Sequence, residues 1–210
     1  MKKALIIIAF LFLAVISGHS QDKLSHLRTS KRILTIEVPS APYYSVQILA
    51  LKNPPTDASF FNNLDEVKEY PGQDGYVRYC VGSYETYAEA NAAIAELRSK
   101  GYEEAFVVNT KRFSLQQSNY TYSSTSGKLE INPNKQYVVQ LSAFRYPVYL
   151  TFFENVKDVY EYRMNDKIFR YTTAPVLGSE VESLLAQIKA LGYKKAFIVD
   201  YDRYAAFRIE

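Results

Sequence analysis

Few residues in this sequence carry the side chains that most enzymes use for catalysis. The two histidines, His19 and His26, both lie near the N-terminus, and Cys80 is the single cysteine. The body of the chain therefore offers no histidine for a catalytic triad, a dyad or a zinc site. A glycan hydrolase would need two carboxylates about 5–9.5 Å apart, and the acidic residues fall in no recognisable motif. We predict no enzymatic activity, no catalytic residue, no metal site and no cofactor.

One glutamine and one arginine recur in two parts of the chain and are better candidates for chemistry. The first part contains Val46-Gln47 and Arg78-Tyr79, and the second contains Val139-Gln140 and Arg170-Tyr171. An amide donates and accepts hydrogen bonds, and a guanidinium presents five N–H donors. Such groups are typical of recognition of a neutral, hydroxyl-rich ligand rather than of bond cleavage.

These residues belong to an internal repeat that divides the chain into two units. Phe60-Phe61 is repeated as Phe152-Phe153, and Ala105-Phe106 as Ala196-Phe197. The order and spacing of the matches indicate a tandem repeat. We predict a first unit at 42–110 and a second at 136–210. A linker at 111–135, rich in Ser, Thr, Asn and Tyr, joins them. Residues 21–41 form a polar leader with a possible short strand at 33–38.

Each unit has the sequence pattern strand, helix, two strands, helix, strand. Capping boxes at Thr86–Glu89 and Ser179–Glu182 predict the starts of the second helices. Gly101 and Gly192 predict where these helices end. The pattern predicts an α+β fold in which a four-stranded antiparallel sheet has two helices on one face. The other face is expected to be open.

Strand alternation predicts which side chains point to this open face. With Val46 and Val77 facing inward, the expected outward residues of the first unit are Gln47, Leu49, Tyr76, Arg78 and Cys80. Those of the second unit are Gln140, Ser142, Phe144, Ile168, Arg170 and Thr172.

The motifs of the first unit resemble the SPOR domain, the sporulation-related repeat. They are the strand from Tyr44 to Ala50, the segment from Tyr79 to Tyr84, and Gly101-Tyr102 before the last strand. Tyr137 to Phe144 opens a second, divergent copy. The resemblance implies two ferredoxin-like βαββαβ units in an exported bacterial protein. It also implies binding to peptidoglycan, in particular to glycan strands stripped of stem peptides, often at the division septum.

The resemblance carries candidate binding residues over to this chain. It implies roles for the glutamines Gln47 and Gln140, and for the third-strand residues Arg78, Val81, Gly82 and Tyr84. Together with the residues predicted to face outward, the glycan site consists of Gln47, Leu49, Tyr76, Arg78, Gly82 and Tyr84, with a weaker site at Gln140 and Arg170.

The second unit departs further from the family pattern. Leu49 and Ser142 stand where the family usually has glycine, and the family's Val-Gly-Pro-Phe strand end is approximated by 81–84 but not by 173–176. A side chain in place of glycine can block close approach of a ligand to the backbone. We therefore expect the first unit to bind and the second to be structural.

Simpler interpretations of the same residues stay open. The glutamines could be solvated strand residues, Tyr84 could cover the core edge, and Cys80 could be a small packed side chain. Arg78 and Arg170 could form cross-strand ion pairs with Glu69 and Glu161. For the whole chain, the alternative is a structural or protein-interaction pseudo-dimer of SPOR-like units that has lost glycan binding.

The N-terminus has the pattern of a secretory signal peptide. Lys2-Lys3 precedes thirteen apolar residues at 4–16, and the small residues Ser17, Gly18 and Ser20 follow. The competing interpretation is a membrane anchor, but a bilayer span needs about 20 apolar residues. We predict a signal peptide at 1–20 and a periplasmic mature protein without a stable membrane span.

The net charge is +3, and Lys2 and Lys3 contribute two of these charges, which argues against nucleic acid as a partner. Envelope proteins of the division site are possible partners.

We predict that Gln21 is the first residue of the mature protein, because the small residues before it suit signal peptidase. N-terminal sequencing of the protein from the periplasmic fraction checks this. A membrane-bound protein that retains Met1 would show instead that the segment is an anchor.

Overall fold

The computed structural model describes residues 22–113 and 129–209. The predicted signal peptide and most of the predicted linker lie outside these residues. One short leader strand, β1 (Arg32–Thr35), precedes the two units. The first unit contains β2 (Tyr44–Leu51), β3 (Glu66–Pro71), β4 (Val77–Tyr84), α1 (Tyr87–Ala92), α2 (Ile94–Ser99) and β5 (Phe106–Asn109). The second contains β6 (Gln136–Phe144), β7 (Tyr160–Arg163), β8 (Phe169–Thr172), β9 (Val176–Leu177), α3 (Gly178–Ala190) and β10 (Phe197–Asp200).

The strands of the two units are arranged in the same order within one continuous sheet. The order is β5-β2-β4-β3 in the first unit and β10-β6-β8-β7 in the second, and all neighbours within a unit are antiparallel. The leader strand β1 joins them, because it runs parallel to β3 and pairs antiparallel with β6 through Leu34 and Phe144. The α+β class is confirmed, and the leader is an integral part of the sheet.

Helical segments occur where both helices of each unit were predicted, but the first of them is not an α-helix. The first predicted helix is a single 3₁₀ turn in each unit, at Ala58–Phe60 and at Leu150–Phe153. One turn suffices because it has to bring one aromatic residue of each unit, Phe61 or Phe153, into the core, where each is 1% exposed. The α-helical layer of each unit therefore comes from the segment before its last strand.

The helix ends agree with the sequence in three of four cases. Thr86 and Glu89 form the predicted capping box, and Gly101 and Gly192 have positive φ angles of 96° and 104° after the helices. The predicted capping box of the second unit is wrong, because α3 begins at Gly178 without a side-chain cap. Instead, the Gly178 N–H donates to the Lys135 carbonyl at 2.8 Å. A polar backbone contact thus replaces the capping side chain.

A bulge in each first strand overturns part of the predicted alternation. In β2, Gln47 lies opposite Cys80 and Leu49 lies opposite the core residue Tyr79, so that the register shifts at Ile48. Leu49 therefore packs against the core, and its predicted outward position is wrong. A shift at the same point of β6 places Ser142 opposite Tyr171 and puts Phe144 into the core, fully buried, which corrects both outward predictions.

Two buried carboxylates carry ion pairs that link the parts of the molecule. Glu69 accepts from Thr35 Oγ1 at 2.7 Å and pairs with Arg145 at 2.8 Å. Glu161 pairs with the leader residue Arg28 at 2.9 Å and accepts a hydrogen bond from Tyr171. The cross-strand pairs predicted between these acids and Arg78 or Arg170 are wrong. In both units the acid lies opposite a tyrosine on the core face, and the arginine occupies the other face.

Among residues 22–113 and 129–209, no helix combines the length and the apolar character needed to cross a bilayer.

We predict that Arg145→Met lowers the free energy of unfolding by about 3–5 kcal/mol, because it leaves the Glu69 carboxylate buried without its counter-ion. Urea unfolding of the full chain measures this. The double variant Glu69→Gln, Arg145→Met should recover part of the loss. As a matched control, Arg32→Met removes the exposed pair with Glu66 and should cost less than about 1 kcal/mol. Equal effects of the two single variants would contradict the structural importance of the buried pair.

We also predict that Cys80 is unreactive in the native protein. Its side chain is fully buried, and burial raises the pKa of the thiol to about 12. The thiolate is the reactive form, so at pH 8 a disulfide reagent should modify Cys80 only after denaturation. The thiol stays neutral in the folded state while it ionises in the unfolded chain, so this group's contribution to stability is lost as the pH rises from about 9 towards 12. Rapid modification at pH 8 without denaturant would contradict the burial.

Candidate ligand-binding face

The side of the first unit's sheet opposite α1 and α2 brings Gln47 and Arg78 together. Gln47 lies between Phe106 on β5 and Cys80 on β4, whereas Arg78 lies between Ala50 on β2 and Tyr70 on β3. Gln47 and Arg78 are therefore on neighbouring strands and on the same side. We call this surface, formed by Gln47, Ala50, Lys68, Tyr70, Arg78, Cys80 and Phe106, the outer face of the first unit.

The exposure of these side chains differs widely. Gln47 is 9% exposed and the Arg78 side chain 26%, while Phe106 is 50% exposed beside Gln47. Sequence analysis missed Phe106 as a site residue. The signal was available, because Phe106 precedes the core residue Val107 in an alternating strand. An exposed aromatic ring next to an amide is a suitable platform for an apolar ligand surface with polar edges.

Arg78 is held in place by two contacts on the outer face. It donates to Asp74 from Nη1 at 3.1 Å, and its guanidinium lies 5.6 Å from the ring centroid of Phe113. The hydrogen bonds from Arg78 hold the pKa of the Asp74 carboxyl at about 2. Within the described residues, Arg78 Nε has no hydrogen-bond partner. The guanidinium is thus oriented, and one of its donor edges remains available.

The predicted open face is partly covered in the first unit. The chain turns at Thr110–Arg112 after β5, and the Phe113 ring then lies 5.2 Å from the ring of Tyr70. The prediction that nothing covers this side of the sheet is therefore wrong over β3. Among the described residues of this face, Phe106 is exposed and the Arg78 side chain is partly exposed, whereas Gln47 between them is largely buried.

Lys68 stabilises the end of β4. Its Nζ donates to the Gly82 carbonyl at 3.1 Å and to Ser83 Oγ at 2.6 Å, and burial lowers the pKa of the amine. The Ser45 hydroxyl contacts the Gly82 carbonyl as well, at 2.8 Å. Gly82 has a φ of 74°, and a Cβ there would lie 2.5 Å from the Tyr84 ring. Glycine is therefore needed at this position for the shape of the strand end.

The remaining predicted site residues lie apart from Gln47 and Arg78. Tyr84 packs against the core cluster under α1 and α2, which agrees with its alternative role at the core edge. Leu49 packs against the same cluster. Tyr76 is half-buried in the turn before β4, with Lys52 Nζ 5.7 Å from its ring centroid.

In the second unit, the equivalent glutamine and arginine are occupied by the protein itself. Gln140 Nε2 donates to Glu37 Oε2 at 2.7 Å, and Arg170 Nε donates to Glu37 Oε1 at 2.9 Å. The Tyr204 hydroxyl donates to Gln140 Oε1, and Asp166 forms a second pair with Arg170 at 2.7 Å. Turns at Tyr201–Arg203 and Ala205–Phe207 cover the surroundings with a small apolar cluster of Val138, Tyr162, Val199 and Tyr204.

No group of three or more His, Cys, Asp or Glu side chains in the described part of the chain is placed to hold a metal ion.

Comparison with known proteins finds one family model that matches part of the chain. The SPOR domain model matches residues 40–109, which are 70 of the 210 residues, and the second unit lies outside the match. No curated protein and no solved structure matches the chain significantly. SPOR domains have a ferredoxin-like α+β fold, occur in cell-envelope proteins and bind peptidoglycan without catalysing a reaction. The first unit, over residues 40–109, thus matches the SPOR domain, a non-catalytic domain that binds peptidoglycan.

Proposed function

We propose that this chain is a non-catalytic, exported envelope protein whose first unit binds the glycan strands of peptidoglycan through its outer face. One observation carries the proposal: the SPOR match coincides with the unit whose Gln47 and Arg78 are not engaged by the leader. Periplasmic location follows from the predicted signal peptide, and recruitment to the division septum follows from the family resemblance.

The side chains of the outer face suit a sugar ligand. Phe106 offers an apolar platform on which the flat face of a sugar ring can lie. Gln47, next to it on β2, can both donate to and accept from hydroxyl or acetamido groups. Arg78 adds N–H donors at the end of this path. The glycan strand is proposed to run from Phe106 over Gln47 to Arg78, with Tyr76 and Gly82 at the margins.

The second unit is proposed to be a divergent structural copy. It shares the strand order of the first unit, but Gln140 is 3% exposed and Arg170 7% exposed beneath Glu37 and Tyr204. A ligand could reach them only by displacing the leader and the C-terminal turns. A role in fixing the first unit, through β1 and Arg145, is the function that these contacts support.

The alternative for the whole chain is a structural or protein-interaction pseudo-dimer without glycan binding. The continuous sheet through β1 favours this alternative, because it makes the two units one body. Binding to sacculi distinguishes the two functions.

We predict that the double variant Gln47→Ala, Arg78→Ala weakens co-sedimentation with purified sacculi at least several-fold. Each lost hydrogen bond should cost about 0.5–1.5 kcal/mol, and somewhat more for the charged group. Sacculi should be tested before and after enzymatic removal of stem peptides, with stronger binding expected after removal. The thermal melt should change little, because both side chains lie on the outer face.

Two control variants accompany this test. Gln187→Ala, Lys189→Ala changes the exposed surface of α3 and should alter neither binding nor stability. Gln140→Ala, Arg170→Ala should lower the melting temperature, since it leaves Glu37 buried without partners, but should retain binding below that temperature. Loss of binding in this second control alone would show that the second unit is the binding unit. Unchanged binding in all three variants would show that the glycan binds elsewhere on the chain, and absence of binding by the unaltered protein would favour the pseudo-dimer.

A further inference from the structure

We propose that Gln47 and Arg78 form a carboxylate-binding site, and that the ligand's carboxylate takes the place that Glu37 takes in the second unit. The proposal rests on the proposed glycan-binding function and specifies the chemistry of its ligand. It predicts an acidic sugar rather than a neutral one.

The second unit shows how the repeated residues hold a carboxylate. One oxygen of Glu37 accepts from Gln140 Nε2 at 2.7 Å, and the other accepts from Arg170 Nε at 2.9 Å. The two donors thus share one carboxylate between two neighbouring strands. Charge-assisted hydrogen bonds of this kind are stronger than those between neutral groups.

The first unit has the equivalent glutamine, arginine and aspartate in the same arrangement. Only the glutamate from the leader has no counterpart there. Gln47 and Gln140 each precede the bulge of the first strand, while Arg78 and Arg170 each lie opposite an alanine of that strand. Each arginine also donates from Nη1 to an aspartate four residues earlier, at 3.1 Å in both units. The orientation of the guanidinium is therefore fixed in the same way.

Among the described residues, no carboxylate of the first unit takes the role that Glu37 has in the second. Asp74 is the one acidic residue that pairs there with Arg78, and Gln47 makes no side-chain hydrogen bond with a described residue. The segment 114–128 contains no Asp or Glu that could fill the place. In agreement with this, the Arg78 side chain is 26% exposed, whereas that of Arg170 is 9% exposed.

A second difference between the units indicates what the ligand carries besides its carboxylate. Tyr204 donates its hydroxyl to Gln140 Oε1, but the residue at the matching place in the first unit is Phe113, which has no hydroxyl. The Gln47 carbonyl oxygen is therefore left to accept from the ligand. A ligand with a carboxylate close to a hydroxyl or amide N–H meets both requirements.

A stripped glycan strand has this chemistry. Hydrolysis of the amide bond between the sugar's acid side chain and the stem peptide adds water, releases the amine of the peptide and leaves a free carboxylate on the sugar. An intact strand has a neutral amide at that position. The proposed site would thus distinguish stripped from intact strands by charge, with Arg78 as the residue that determines the preference.

The test uses NMR on the full mature protein with assigned side-chain N–H signals. The three probes are N-acetylmuramic acid, N-acetylglucosamine and lactate, which are an acidic sugar, a neutral sugar and a carboxylate without a sugar ring. We expect saturable shifts of the Gln47 amide and the Arg78 Nε–H with N-acetylmuramic acid. Lactate should give the same shifts at concentrations at least ten-fold higher, and N-acetylglucosamine should leave Arg78 Nε–H unmoved. Arg78→Gln should weaken the response to N-acetylmuramic acid at least ten-fold.

The variant Glu37→Ala tests whether the Gln140–Arg170 site of the second unit is equivalent to the Gln47–Arg78 site of the first. Because it empties the second site, the Gln140 and Arg170 signals should begin to respond to N-acetylmuramic acid, while they stay unmoved in the unaltered protein. Dispersion of the backbone spectrum shows whether this variant is folded, and the titration of the unaltered protein stands without it.

The outcomes separate this proposal from the proposed function. Sacculus binding without any response of Gln47 and Arg78 to the acidic sugar would overturn the carboxylate site alone. Equal shifts with the neutral and acidic sugars would do the same. Absence of both sacculus binding and sugar response would overturn the glycan-binding function as well.

Discussion

The structure depends on two carboxylates that are buried at equivalent points of the repeat. Glu69 and Glu161 each lie on the core face of the second strand of their unit, and neither is neutralised from within its own four strands. Arg145, from the end of β6, pairs with Glu69, and Arg28, from the leader, pairs with Glu161. A buried charge without its partner costs several kcal/mol, so each unit requires the chain outside it. A fragment of residues 42–110 alone would lack Arg145, the partner of Glu69.

The leader has a larger role than its polar composition indicates. It supplies β1 between the units and contributes Arg28 and Glu37 to two buried clusters. Through Glu37 it also makes the two units structurally different, because it engages the glutamine and arginine of the second unit and does not contact those of the first. Two copies of one unit would have equivalent sheet faces. The Glu37 side chain makes the two faces different, because it bonds to Gln140 and Arg170 of the second unit.

Short-range patterns in the sequence predicted much of the fold, because they reflect local geometry. Alternation located the strands, and Thr86, Gly101 and Gly192 marked helix ends correctly. The errors concern features that arise between distant residues. No local signal shows that a bulge turns Leu49 to the core, or that Phe113 returns over Tyr70. Within the candidate face, the presence of Gln47 and Arg78 on the same side of the sheet was predictable from strand alternation and from their recurrence in the second unit. The contact of Glu37 with Gln140, 103 residues later, was not.

The position of β1 between the units has a consequence for the order of folding. The chain leaves the ribosome N-terminus first, so the leader strand appears before either of its neighbours. Its parallel partner β3 follows about thirty residues later, whereas its contact with Phe144 closes a loop of more than one hundred residues. Such long-range closure is slow because the loss of chain entropy precedes the gain of contacts. The leader strand is therefore synthesised before both of its neighbours but can complete its pairing only after β6 is present.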